Sequence, residues 1–119
     1  MHRVVGDREV TAILFAVGPR CLAVAEGQQP VAVSLAGMSG EFIEPYTPAV
    51  AFNNVGDEIT RGYALSVEDL TLCVFLTWHP STTDGELAAA ADILESIQAE
   101  PIGERVRITF TLPEGWDTG

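Results

Sequence analysis

Between Thr60 and Ile97 the apolar residues change their spacing once, from every second position to every third or fourth. In TRGYALSV the residues Tyr63, Leu65 and Val67 alternate with small or polar neighbours. In TLCVFLTW the alternating series is Leu72, Val74, Leu76 and Trp78. A period of two belongs to strands with one covered face, and the short Glu68-Asp69-Leu70 link makes them a central hairpin. From Thr83 the spacing becomes helical. Thr83 and Glu86 fit a capping box, and Leu87, Ala90, Ala91, Ile93, Leu94 and Ile97 fall on one face. A helix over about 83–98 with a single apolar face needs a surface to cover, and the strands supply it. The expected class is α+β: a mostly antiparallel sheet with one amphipathic helix packed on one face. At 119 residues, 1–119 reads as one domain.

The remaining segments fill in that sheet. EVTAILFAV (9–17) reads as a buried strand. Gly18-Pro19 turns the chain into RCLAVAE (20–26), which reads as its hairpin partner. VAVSLAG follows as a weaker strand. GMSG (37–40) reads as a turn, since it lacks the spacing and the strand–turn–helix setting of a nucleophile elbow. EFIEPY reads as a short edge strand, limited by Pro45 and Pro48. Residues 47–58 read as a surface loop, and Pro101 and Gly103 as the exit loop of the helix. Residues 105–112 form a closing strand with Val106, Ile108, Phe110 and Leu112 on one side. It is expected to fold back into the same sheet.

Charge limits the partners. Seventeen acids against six bases, all arginine, give a net charge of −11, which opposes phosphate backbones and anionic membranes. Nucleic acid is therefore not an expected partner. Membrane insertion is not expected either, since the longest apolar run, Val10 to Val17, is far below the ~20 residues of a bilayer span. The chain as written reads as soluble: exported if a signal or anchor preceded it, otherwise cytoplasmic. Arginine without lysine, beside abundant alanine, points to a GC-rich bacterial source.

Candidate chemistry is sparse. Cys21 and Cys73 are either a disulfide closing a loop of about 50 residues or two small buried thiols. His79, at the end of the central hairpin, is a candidate acid–base group if a carboxylate such as Asp84 or Glu86 meets it. Phe42, Tyr63, Phe75, Trp78 and His79 are candidates to line a pocket between sheet and helix. No metal-ligand spacing and no phosphate-cradling loop is present, so neither a metal nor a cofactor is expected. The reading that follows is a non-catalytic accessory domain that binds a protein or small molecule. The alternative is a small enzyme using His79 and a carboxylate in an aromatic pocket. An edge strand, the terminal one first, also offers a route to a homodimer.

DGELAAAADILESIQAEP (84–101) and YALSVEDLTLCVFLTWHPST (63–82) resemble the closing helix and penultimate hairpin of small exported actinobacterial lipoprotein-type domains of the PsbP-like group. ITFTLPEGW (108–116) is similar to the opening strand of those domains, although here it comes last. The resemblance, over residues 63–116, implies an antiparallel sheet flanked by helix and an exported or tethered protein. It implies no catalytic residues.

Overall fold

The computed structural model describes residues 2–5, 11–19, 21–24, 26–44, 46 and 58–118. In chain order the elements are β1 (His2–Val5), β2 (Ala12–Val17), β3 (Val31–Leu35), β4 (Met38–Ile43), β5 (Ile59–Val67), β6 (Leu70–Trp78), α1 (Asp84–Glu95), β7 (Gln98–Ile102), β8 (Arg105–Thr109) and β9 (Asp117–Thr118). Among the described residues, seven strands form one sheet in the order β3-β4-β5-β6-β2-β1-β9, and β7 and β8 form a separate ribbon. Every pairing is antiparallel. The architecture is the expected α+β.

The central hairpin sets the register. Tyr63 lies opposite Val74 and Leu65 opposite Leu72, so the two alternating series share one face. Ile13 and Phe15 of β2 extend that face through their pairs with Leu76 and Val74. Ala90, Ile93 and Leu94 of α1 and the following Ile97 cover it, and all are buried. Beside the helix, the β7–β8 ribbon adds Ala99, Val106 and Ile108 to the same core. The chain beyond β8 continues the cover: the Phe110 ring stacks on Phe15 with centroids 5.4 Å apart.

The helix begins where expected. Thr83 Oγ1 accepts the Glu86 N–H at 3.2 Å. Glu86 does not complete the capping box, and its Oε1 is buried with no hydrogen-bond partner among the described residues. The helix ends at Glu95, short of 98, because Gln98 opens β7. Ser96 holds that junction: its hydroxyl donates to Ile93 O at 2.7 Å and accepts the Thr111 N–H at 2.9 Å.

Five further expectations are corrected. Residues 21–24 form no strand. Cys21 is bonded to Cys73 at a Cα–Cα distance of 6.0 Å, which lays this segment across the second face of the sheet. The strand bounded by Pro45 is not at the edge. β4 starts at Met38 and lies between β3 and β5, and the turn is Ala36-Gly37 alone, with φ of 52° and 80°. Paired left-handed residues of this kind match the twist of a two-strand hairpin. The exit loop of the helix is instead β7, where Pro101 is tolerated because a two-stranded ribbon is all edge. The closing strand joins β7 and not the main sheet; only Asp117–Thr118 return to it, beside β1. Most of the surface loop expected over 47–58 lies outside the described residues.

The second face has its own small core. Tyr46, Cys73 and Phe75 are buried there, with Cys21, Leu22 and Ala64 against them. Tyr46 packs on Phe75 at 5.1 Å, and its hydroxyl accepts the Ala23 N–H at 3.1 Å. Gly62 lets these side chains come close to the strand. A Cβ there would sit 2.6 Å from Leu22 Cδ1 and 3.2 Å from the Tyr46 ring.

Candidate functional site

On the helix-bearing face, the strand alternation that buries Tyr63, Leu65 and Val67 also turns Arg61 inward. Arg61 lies opposite Leu76, two places before Tyr63. Continuing the pairing of Ile43 with Gly62 brings Glu44 opposite it. The Nε and Nη2 groups of Arg61 both reach Glu44 Oε1 at 2.6 Å, and Nη1 donates to the Tyr63 hydroxyl at 3.0 Å. Three rings surround the guanidinium, with centroids 5.3 Å (Phe42), 5.7 Å (Trp78) and 6.0 Å (Tyr63) from Cζ. Such contacts are attractive because the ring face is electron-rich.

Partial burial works against the charge of Arg61. The hydrogen bonds to Tyr63 and Glu44 outweigh it and hold the pKa above the ordinary arginine value. The side chain therefore stays a cation. A guanidinium carries five N–H donors; those given to Glu44 and Tyr63 leave donors unspent among the described residues.

Arg61 stands at a cleft of about 320 Å³ between sheet and helix. Leu35, Tyr63, Leu76 and Trp78 form the sheet side, and Leu87, Ala91 and Leu94 the helix side, with Glu95 at the rim. The volume lies at the low end of the range for small-molecule sites. A larger, more open hollow of about 480 Å³ lies near Pro19, Leu22, Ala64 and Thr71. It is more polar, and none of its described lining residues is positive, so the narrower, more apolar cleft beside Arg61 is the better-formed site.

Of the residues expected to line a pocket, Tyr63 and Trp78 line this cleft and Phe42 flanks its arginine. Phe75 faces the other way, in the core of the second face. His79 lies beyond the strand end and outside the cleft lining. Its Nδ1 accepts the Ser81 N–H at 3.0 Å and lies 2.7 Å from Ser81 Oγ. Its backbone joins the same turn: the His79 N–H donates to Thr82 Oγ1 at 3.0 Å, and its carbonyl accepts the Thr82 N–H at 2.8 Å. The histidine thus shapes a corner before α1, and the structure does not bring it together with the aromatic cluster. Arg61 is the residue the sequence reading missed. The signal was available: the inward series 63, 65, 67 extends back to 61, which places a charge on a covered face.

Among the described residues no group of three or more His, Cys, Asp or Glu side chains is arranged to hold a metal ion. Nor, among the described residues, is any helix long and apolar enough to cross a membrane. Compared with protein-family models, with curated proteins and with solved structures, the chain matches none.

Proposed function

We propose that this is a non-catalytic binding domain that takes a small, mostly apolar molecule into the cleft between the sheet and α1. The ligand presents an oxygen acceptor to Arg61. One observation carries the reading: a half-buried cation, braced by Glu44 and three rings, stands at an apolar cleft in a chain of net charge −11. An arginine fixed in place gives a directional donor at little entropic cost on binding. The acidic surroundings oppose polyanions, so nucleotides and nucleic acids fit poorly, and an uncharged or singly charged acceptor fits best.

The Cys21–Cys73 bond supports an exported protein, since disulfides persist in oxidising compartments. That placement agrees with the lipoprotein-type resemblance and with a bacterial source.

A fragment screen read by ¹H–¹⁵N NMR tests the proposal. Bound fragments should shift the amides of Trp78, Leu87 and Ala91. Ala91→Leu should then abolish the shifts without loss of stability, because Ala91 is exposed on the helix yet borders the cleft. Hits that map to the second face, or that survive Ala91→Leu, would refute it.

A further inference from the structure

The sheet ends at β3, and that edge is unlike the rest of the chain. From Gly27 to Gly40 no residue is charged, although the chain holds 17 acids. Among the described residues β3 is bonded to β4 alone. Val31 is 53% exposed, and Ala32 and Ser34 are exposed as well. Natural edges are usually blunted by lysine, an inward charge, a bulge or an internal proline. Val31–Leu35 carries no charge and no proline, and its pairing with β4 runs residue for residue without a bulge. We infer that this edge pairs with the same edge of a second copy, joining two seven-stranded sheets across a two-fold axis.

Two properties select a second copy over a foreign strand. The first is the symmetry of VAVSL about Val33. Antiparallel pairing with Val33 opposite its counterpart sets Val31 against Leu35 of the second copy and Ala32 against Ser34. Large apolar residues then meet on the helix-bearing face, where Val33 and Leu35 already pack on the core, and small ones meet on the other. A two-fold contact must be self-complementary in this way. The second property is charge. Two molecules of net charge −11 repel over roughly 8–10 Å at moderate salt, and the uncharged hairpin is where they approach with least repulsion. A basic partner would be drawn instead to the acidic surfaces. Because Leu35 also borders the cleft, the seam runs beside the ligand site of each copy.

The test is light scattering with size exclusion on the intact chain over a range of concentration and salt. A dimer is expected that forms with concentration and tightens as salt screens the repulsion. Ala32→Glu/Ser34→Glu places like charges opposite each other and should weaken the dimer roughly tenfold. Mixing that variant with Ala32→Lys/Ser34→Lys should restore a heterodimer. A monomer at every concentration, or a dimer indifferent to the glutamates, overturns the inference. Should either variant fail to fold, hydrogen exchange on the unsubstituted chain decides: β3 amides must gain protection as concentration rises, and unchanged exchange is equally fatal.

Discussion

Breaking the Cys21–Cys73 bond should cost this domain a large share of its stability while leaving the native fold in place. The bond spans 52 residues of sequence. In the chain-entropy model, closing such a loop removes about 14 cal/mol/K from the unfolded ensemble, or about 4 kcal/mol at 25 °C. For 119 residues the unfolding entropy near the midpoint is about 250 cal/mol/K, so Tm should fall by about 15 °C. Native packing should change little by comparison, since Cys73 is fully buried within the central strand β6 and that strand is held by its neighbours on both sides. The assay is urea unfolding of the chain with and without reductant, beside Cys21→Ser/Cys73→Ala. The reduced chain and the double variant should coincide, and both should show a larger denaturant slope, because an uncrosslinked unfolded chain exposes more surface. Free-thiol titration of the oxidised chain should find none. A loss under 1 kcal/mol, or two titratable thiols in air-oxidised protein, would refute the reasoning.

Leu94→Ala should cost about 2–5 kcal/mol in chemical denaturation, because Leu94 is 3% exposed in the contact between α1 and the sheet; a loss under half a kcal/mol would mean that α1 does not dock there. Glu68→Asn should stabilise by about 0.5–1 kcal/mol, since Glu68 is exposed yet held at φ 53° in the β5–β6 turn, a conformation asparagine tolerates better. Gly62→Ala tests the second face: alanine ordinarily improves on glycine within a strand, but here the Leu22 methyl must move aside and the Tyr46 ring must yield, which should cancel that gain and leave Tm unraised. A gain in Tm on that substitution would show that the two side chains are not seated over Gly62.

Much of the architecture is local and so is written in the sequence. The alternation in residues 60–67 and 71–78 needs only the strand repeat to define a covered face, and Thr83 with the helical spacing after it defines where α1 starts, though not where it ends. The misreadings have a common origin. RCLAVAE is strand-like by composition, but a covalent bond to Cys73 holds its start across the sheet, and no local preference competes with that. Pro101 signals a loop in any linear reading; it is a strand residue only because its neighbours lie in a two-stranded ribbon. The terminal apolar row of Val106, Ile108, Phe110 and Leu112 was legible as a face to be covered. Whether it joined the main sheet or lay upon it depended on the space left beside α1.

The candidate site divides the same way. Sequence alone determined that Tyr63 and Trp78 point to the covered side and that the chain repels polyanions, because strand period and net charge are properties of the chain as written. Only the tertiary structure decided that Phe42 joins them, that Phe75 and His79 do not, and that Arg61 stands among the rings with Glu44 as its counter-ion. Those outcomes rest on which strands become neighbours, and on a half-buried charge on β5 finding its partner just past the end of β4. Neither is fixed until the sheet has closed.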